Sequence, residues 1–283
     1  MKPHSMKIVD AQVHIWGADT PERPWPKRAA GRLQRDVPFG HAELLAEMDA
    51  NGVDRAILVP PSFEGDRNDL AIAAAIQHPD RFAVMGRFDF EAPGAAEAIP
   101  GWLGQRGMLG MRFTFQTEAQ KRLLTDSEPA WLWPALERNG IPIMLFPTGL
   151  LSRIDGLATR HPGLKIILDH MAAPTRGPKD DEAFAHVPQL VALARHANVA
   201  VKASSLPAFS SEPYPFPKLH KHLRAVVDAF GPARVFWGTD LTRLGCPYRQ
   251  GVTMFTEALD WLKGDDLALV MGRGIADWLN WPL

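Results

Sequence analysis

The sequence predicts an α/β protein, a (β/α)8 TIM barrel that forms a single domain over residues 1–283 and carries long βα loops. Short apolar segments alternate with longer segments of helical periodicity, which is the pattern of a parallel sheet with crossover helices. Eight strand-like segments are present, and eight β/α units in about 270 residues match the size of a barrel. An open doubly wound sheet would more often carry a glycine-rich phosphate loop after its first strand, and this sequence has none.

The predicted strands are short, and several are almost entirely apolar, as strands buried on both faces should be. They cover residues 8–13, 56–60, 82–87, 109–113, 141–146, 165–169, 199–203 and 235–238. Helices are predicted at residues 41–51, 68–78 and 129–139, before the second, third and fifth strands. Helix-stop pairs support these boundaries, namely Asn51-Gly52, His78-Pro79, Asn139-Gly140 and His161-Pro162.

Three segments interrupt the regular alternation. Residues 17–40 follow the first strand and are rich in Pro, Arg and Trp, and residues 174–188 follow the sixth strand and are polar. Both are predicted to be long βα loops on the catalytic face, where lids and substrate-binding insertions usually lie. A solvated surface loop explains residues 174–188 equally well. Residues 206–217, which carry four prolines, are predicted to form a semi-rigid wall.

The charge balance and the cysteine content restrict the partners and the compartment. With 31 basic and 32 acidic residues the formal net charge is −1, which predicts no attraction to nucleic acid or to an anionic membrane surface. Cys246 is the single cysteine, so it cannot form a disulfide within the chain, as fits a reducing compartment. No signal-peptide pattern and no apolar run near the ~20 residues of a spanning helix is found. We therefore expect a cytoplasmic monomer or homodimer that acts on a small molecule.

Polar residues accumulate at the C-terminal ends of the predicted strands, where the mouth of a barrel opens and functional side chains are expected. They are Asp10, Gln12, His14, Arg87, Arg112, Asp169, His170, Lys202 and Asp240. Side chains at alternate positions of a strand point to one side, so Asp10, Gln12 and His14 are predicted to converge. A lone histidine is more often structural, but His14 shares this end of the barrel with His170 and Asp240. The predicted active site consists of Asp10, His14, His170 and Asp240.

Five segments of the sequence resemble one known family. They are Asp10-Ala11-Gln12-Val13-His14-Ile15-Trp16, Gly110-Met111-Arg112-Phe113, Leu168-Asp169-His170-Met171, Val201-Lys202-Ala203-Ser204 and Trp237-Gly238-Thr239-Asp240. In their order and spacing they are similar to the signature segments of the amidohydrolase-related family, in particular the branch of 2-pyrone-4,6-dicarboxylate lactonases and sugar lactonases. The resemblance spans nearly the whole chain and implies a hydrolase built on a TIM barrel.

The resemblance also implies a metal site in many members, formed by histidines of strands 1, 5 and 6 and an aspartate of strand 8. In this sequence Gln12 stands where the first strand 1 histidine is expected, and Phe146 stands where the strand 5 histidine is expected. The ligands that remain are His14, His170 and Asp240, with Asp10 as a further carboxylate. Three ligands can still form an open zinc site. We expect no required metal, and the alternative is a bound divalent metal such as zinc.

Roles for a metal-free hydrolysis follow from the chemistry of the side chains. Asp240 is expected to take a proton from water and return it to the leaving oxygen. His14 and His170 are expected to donate hydrogen bonds to the carbonyl oxygen as its negative charge develops, and the Gln12 amide could add a third donor. A bound metal would instead polarise that carbonyl, with Asp240 as a ligand or proton shuttle.

Substrate-binding residues are predicted beside these groups. Arg112, Arg87 and Lys202 at the mouth indicate an anionic substrate, because a guanidinium holds a carboxylate through two hydrogen bonds. A structural ion pair at the rim explains Arg112 equally well. Trp16 is predicted to provide an apolar wall for a planar ring, and core packing explains it nearly as well.

Three functions are consistent with the sequence. The first is hydrolysis of a small carboxylated or hydroxylated lactone or a related ester. The second is metal-dependent decarboxylation of an aromatic or muconate-type acid, since decarboxylases share the same family resemblance. The third is a barrel that has lost catalysis and only binds ligands, although the presence of Asp240 together with His14 and His170 argues against it.

Overall fold

A sheet of eight parallel strands, hydrogen-bonded in the order of the sequence, forms the centre of the computed structural model. The structure describes residues 6–26, 35, 37–115, 118–124, 130–174 and 176–283. The strands are β1 Val9–Val13, β2 Arg55–Leu58, β3 Phe82–Arg87, β4 Met108–Phe113, β5 Ile143–Leu145, β6 Ile166–Leu168, β7 Val199–Ser204 and β8 Val235–Gly238.

Helices follow the strands and cover the outer face of the sheet. Those in the described part of the chain are α1 His41–Asn51, α2 Asp69–Gln77, α3 Ala95–Ala98, α4 Glu118–Arg122, α5 Leu132–Arg138, α6 Leu151–Arg160, α7 Asp180–Ala183, α8 Val187–Ala192, α9 Pro217–Phe230, α10 Tyr248–Thr256, α11 Gly264–Ala268 and α12 Gly274–Trp278. Within these described residues, no helix has the length and apolar composition needed to cross a lipid bilayer.

The sheet forms a nearly closed ring, with its last strand beside its first. Each strand from β1 to β7 pairs in parallel with the next one, and just beyond β8 the backbone N–H of Asp240 donates to the carbonyl oxygen of Gln12 on β1 at 2.8 Å. This order of strands and helices is a (β/α)8 TIM barrel and confirms the predicted fold class. It places the C-terminal ends of all eight strands around one mouth.

Most predicted boundaries agree with the structure to within one or two residues, and β3, β8 and α1 have the predicted bounds. The segment predicted as a strand at 141–146 is shorter, because the N–H of Ile141 donates to the carbonyl oxygen of Leu136 at 3.0 Å and so completes the end of α5. Gly140 allows this turn with a φ of 61°. The predicted helix at 129–139 is observed as α5, and residue 129 lies outside the described residues.

Two of the three interrupting segments contain helices. Residues 174–188 include α7 and the start of α8, and residues 206–217 begin with a short 3₁₀ turn, Leu206–Phe209. In residues 17–40, positions 27–34 and 36 lie outside the described residues. At the two ends of that segment the N–H of Trp16 donates to the carbonyl oxygen of Phe39 at 2.9 Å.

The core has two layers separated by the sheet. The inner layer fills the barrel and consists of Val9, Ala11, Ile57, Val59, Met85, Met144, Ile167, Ala200, Phe236, Ile275 and Leu279. Ile275 and Leu279 come from α12 and the residues after it, so the C-terminal segment closes the lower end of the barrel. The lower part of the barrel interior is apolar, and the buried polar side chains at the strand ends lie above it.

Gly110 on β4 offers a test of this packing. A Cβ atom at Gly110 would overlap the carbonyl oxygen of Pro142 and lie 2.7 Å from the side chain of Met85, so both β5 and the inner core would have to move. We expect Gly110→Ala to lower the free energy of unfolding by about 1–3 kcal/mol, measured by urea denaturation. Gly104→Ala is the matched control, since no atom lies within 4 Å of its Cβ position. Equal stability of the two variants would contradict the close strand packing.

Candidate active site

Three side chains that follow β1, β6 and β8 meet at the mouth of the barrel. The Nε2 atom of His14 lies 3.3 Å from Oδ1 of Asp240, and the Nε2 atom of His170 lies 3.7 Å from Oδ2 of the same carboxyl group. All three side chains are buried. The Asp240 carboxyl group therefore has an imidazole nitrogen next to each of its oxygens.

The backbone adopts an unusual conformation at two of these residues. His170, Met171 and Ala172 follow β6 with φ of 54°, 51° and 60°, and Asp240 follows β8 with φ of 53°. The left-handed region costs a residue with a side chain about 1–3 kcal/mol. Such turns persist where surrounding contacts hold them, and here they direct the His170 and Asp240 side chains to the same point.

Asp10 does not join this group, contrary to the predicted convergence of Asp10, Gln12 and His14. A β-bulge between Asp10 and Val13 interrupts the alternation of β1. It leaves the side chains of Gln12 and His14 together, with Nε2 of Gln12 3.3 Å from Nε2 of His14. The Asp10 carboxylate meets only the backbone of Gln12, whose N–H donates to it at 3.1 Å.

The Asp10 carboxylate instead anchors the segment before Asp240. It accepts hydrogen bonds from the backbone N–H of Thr239 at 2.8 Å, from the Thr239 hydroxyl, and from the hydroxyl of Tyr248 at 2.9 Å. Burial raises the pKa of Asp10 to about 6, and the hydrogen bonds from Thr239 oppose that rise. Sequence reasoning missed Tyr248, which lies on α10 outside every quoted motif, whereas Thr239 sits in the motif that ends at Asp240.

His14 has its hydrogen-bonding polarity fixed by its neighbours. Its Nδ1 is hydrogen-bonded to the carbonyl oxygen of Val59, which can only accept, so Nδ1 carries the proton. Burial, followed by the positive charge of Arg112, lowers the pKa of His14 well below its usual value, so the ring is neutral. Its Nε2 therefore presents a lone pair to Asp240, and the predicted role of His14 as a donor to a carbonyl oxygen does not fit this arrangement.

His170, unlike His14, can donate a hydrogen bond from Nε2. Its Nδ1 lies 2.8 Å from the Ser204 hydroxyl, which can donate as well as accept. Burial lowers the pKa of His170 to about 3, so this ring is neutral too. When Ser204 donates to Nδ1, Nε2 carries the proton and can donate into the mouth.

The ring of Phe146 meets His170 edge to face, with 5.7 Å between the ring centres. Phe146 follows β5 at the position where the family resemblance implies a histidine in metal-binding members.

Asp240 combines deep burial with surrounding positive charge. Burial raises the pKa of its carboxyl group to about 7, and Arg243, Arg112 and Lys202 oppose the rise. Among the described residues its Oδ1 has no hydrogen-bond partner, as expected when the facing His14 Nε2 is also an acceptor. A carboxyl group with this pKa can change between acid and base near neutral pH.

A second carboxylate, Asp169, holds two cations below the mouth. Its Oδ2 accepts from Nε of Arg112 at 3.1 Å, and its Oδ1 lies 2.6 Å from Nζ of Lys202. Burial alone would raise the pKa of Asp169, but Lys202 and Arg112 outweigh that effect and lower it. In the described part of the chain, the two terminal guanidinium nitrogens of Arg112 make no hydrogen bond.

Lys202, predicted to bind substrate, is directed into the protein. It is completely buried, and its ammonium group donates to the side-chain oxygen of Gln12 and contacts the sulfur of Met144 at 3.1 Å in addition to Asp169. An ammonium group has three donors, and three protein atoms lie next to that of Lys202. This placement does not support the predicted contact with substrate.

Arg87 and Trp16 both make contacts with other protein side chains. Arg87 lies beside Arg112 in the register of β3 and β4, and its Nε donates to Asp66 at 3.0 Å. Trp16 is 2% exposed and packs edge to face against Phe63 at 5.5 Å. The packing of Trp16 against the outer core explains its position, and this placement does not support a substrate wall.

The side chains at the mouth fit a divalent metal poorly. No group of three or more His, Cys, Asp or Glu side chains in the described ranges is arranged to hold a metal ion. The Nε2 lone pair of His14 faces the Gln12 amide, and three cationic side chains, those of Arg243, Arg112 and Lys202, already act on the Asp240 carboxyl group. A divalent cation at this position would be repelled by these charges.

Comparisons with known proteins agree with the fold and point to a family. A family model described as amidohydrolase matches residues 9–280. An L-fucono-1,5-lactonase of Burkholderia ambifaria is 30% identical over 239 residues, which cover 82% of this chain and 79% of that protein.

Two solved structures show the same fold. An amidohydrolase from Burkholderia multivorans with bound zinc superimposes with a TM-score of 0.79 at 22% identity, covering 98% of this chain and 100% of that one. The 5-carboxyvanillate decarboxylase from Sphingomonas paucimobilis superimposes with a TM-score of 0.69 at 20% identity, covering 98% and 99%. At these identities the likeness concerns the fold alone.

The Tyr248 hydroxyl tests the anchoring role of Asp10. We expect Tyr248→Phe to lower the free energy of unfolding by about 1.5–3 kcal/mol, because a buried carboxylate loses a charge-assisted hydrogen bond. Without this donor the pKa of Asp10 rises further above its unfolded value, so stability falls as the pH rises. Urea denaturation at about pH 5 and about pH 8 should therefore show the larger loss at the higher pH.

The chain contains one other tyrosine, the exposed Tyr214, and Tyr214→Phe serves as the control. We expect it to change the stability by less than about 0.5 kcal/mol. A loss for Tyr248→Phe that is equal at both pH values would show that Asp10 is not the partner that matters.

Proposed function

The chain belongs to the amidohydrolase family, and we propose that it is a hydrolase that opens a small hydroxylated or carboxylated lactone. The observation that carries this proposal is the Asp240 carboxyl group, buried between two neutral imidazoles with a pKa of about 7. The curated relative from Burkholderia ambifaria is a lactonase, which supports this substrate class.

In the proposed reaction Asp240 is the general base. Its ionised carboxylate takes a proton from water as the water oxygen forms a bond to the lactone carbonyl carbon. The ring C–O bond then breaks, and the proton passes from Asp240 to the departing ring oxygen. The His14 Nε2 lone pair, 3.3 Å from Oδ1, shares this proton and stabilises the protonated state between the two steps.

The negative charge that develops on the carbonyl oxygen needs hydrogen-bond donors on the side of the substrate away from Asp240 and His14. His170 can supply its Nε2–H, and Arg112 can supply a terminal N–H that no protein group in the described residues accepts. Donors held in a buried site before the reaction starts are typically the largest contribution to acyl transfer. This assignment keeps His170 as a donor and gives His14 the role of acceptor.

We propose that the reaction needs no metal. This proposal is supported by the three cations around Asp240, the amide that faces His14 and the phenyl ring at the end of β5.

The guanidinium of Arg112 suits a substrate with a carboxylate or with hydroxyl oxygens near the ester. The balanced charge and the single cysteine support a cytoplasmic enzyme that acts on small molecules.

A panel of sugar 1,5-lactones, sugar 1,4-lactones and carboxylated pyrones tests the proposed function. We expect hydrolysis of at least one class, with kcat/KM falling as the pH drops below about 7 because Asp240 becomes protonated. Asp240→Asn should lower kcat/KM by at least about 100-fold, measured with a pH indicator that reports acid release.

The control for this variant is Asp228→Asn, an exposed aspartate on α9 whose ion-pair partner is Arg224 at 3.5 Å. It should retain the activity of the unchanged enzyme. Full activity of Asp240→Asn on a lactone that the enzyme hydrolyses would contradict the general-base role.

A metal analysis tests the metal-free proposal. Protein purified without chelator should contain metal well below one ion per chain by plasma mass spectrometry. Its hydrolytic activity should be the same before and after dialysis against dipicolinate, because the charge that stabilises the reaction comes from arginine and histidine. Loss of hydrolytic activity that zinc restores would contradict the metal-free proposal and indicate a zinc-dependent hydrolase.

A further inference from the structure

Lys202 is a buried cation that lies next to the proposed site without facing the mouth. We propose that Lys202 is a positioning residue that acts through the Gln12 amide and keeps the Nε2 atom of His14 as a hydrogen-bond acceptor. This inference rests on the proposed function for its catalytic meaning. Its structural content can be tested without any substrate.

The ammonium group of Lys202 orients Gln12. Lys202 Nζ donates to the side-chain oxygen of Gln12, and Asp169 fixes the ammonium in place from 2.6 Å. An ammonium group cannot accept a hydrogen bond. The amide of Gln12 must therefore direct its oxygen towards Lys202 and its NH2 group the other way.

The oriented amide then sets the polarity at His14. The NH2 nitrogen of Gln12 lies 3.3 Å from Nε2 of His14, and an amide nitrogen can only donate. Independently, the carbonyl oxygen of Val59 requires a proton on Nδ1 of the same ring. The two contacts act on opposite sides of the imidazole and select the same tautomer, with the lone pair on Nε2.

Both contacts lie in a fully buried part of the barrel. Lys202 and Gln12 have no exposed surface, and His14 is 4% exposed. In such surroundings a reversed amide would place two lone pairs against each other with no water to separate them. The Lys202 and Gln12 pair thus prevents His14 from turning a proton towards Asp240, and Asp240 keeps an acceptor beside it that can share the proton it takes from water.

Gln12→Glu reverses the polarity of the contact while preserving its shape. The new carboxylate can still bind Lys202, but it presents an acceptor oxygen to His14. In histidine ¹⁵N correlation spectra without substrate we expect unchanged protein to show His14 protonated on Nδ1 alone, and Gln12→Glu to show a proton on Nε2. Where a hydrolysed lactone has been found, kcat/KM should fall at least about 100-fold.

Gln12→Met is the matched control, because it keeps the length of the side chain and removes both the donor and the acceptor. Val59 still holds Nδ1, so His14 should keep the tautomer of the unchanged protein. A His14 spectrum that is the same in Gln12→Glu as in Gln12→Met would overturn the proposal, and so would a proton on Nε2 in the unchanged protein.

The Lys202 step needs a variant of its own. Lys202→Met alone would leave Oδ1 of Asp169 buried without a partner, so Lys202→Met combined with Asp169→Asn removes both charges of that ion pair. In this double variant the Gln12 amide loses the contact that orients it, and we expect part of the His14 population to gain a proton on Nε2. Asp169→Asn alone keeps Lys202 and should retain the original tautomer.

An unchanged His14 spectrum in the double variant would overturn the role of Lys202, whatever happens to turnover. Because these spectra are recorded without substrate, their outcome does not depend on the lactone panel. A failed lactone panel with the expected spectra would contradict only the proposed function.

Discussion

The hydrogen bonds between β1 and the segment after β8 are the constraint on which the rest of the site depends. The N–H of Asp240 donates to the Gln12 carbonyl oxygen at 2.8 Å, and the Asp10 carboxylate accepts from the N–H of Thr239 at the same distance. These two contacts join the two ends of the sheet and also fix Asp240, the proposed base. A left-handed residue such as Asp240, with φ of 53°, keeps its conformation only where neighbours hold it this firmly.

Charge balance below the mouth explains why the polar groups can be buried at all. Removing an ion from water costs several kcal/mol unless a partner and hydrogen bonds compensate. Asp169 supplies that partner for both Arg112 and Lys202, so each of the three charges has an ion-pair partner within the group. Asp240 has no such close partner, since Arg243 Nε is 3.6 Å away, and its carboxyl group is consequently the one whose pKa rises to about 7.

The sequence predicts the fold and the residues at the mouth well, because strand periodicity and the position of a strand end are local properties. It does not predict which way each side chain points. The alternation of side chains along a strand predicted that Asp10 and His14 point to the same side. A β-bulge directs them apart, and no residue type in β1 indicates a bulge. Lys202 sits at a strand end as a binding residue would, yet its position relative to Asp169 and Gln12 depends on contacts across 33 and 190 positions of the chain.

The two histidines show why such long-range contacts decide the chemistry. As isolated side chains they are identical, and both were expected to donate to a carbonyl oxygen. Val59 and Gln12 make His14 an acceptor, whereas the Ser204 hydroxyl leaves His170 able to donate. In the proposed hydrolysis the lactone carbonyl oxygen must therefore face His170 and Arg112. The attacking water and, later, the departing ring oxygen must lie on the side of Asp240 and His14, because the proton has to travel between them.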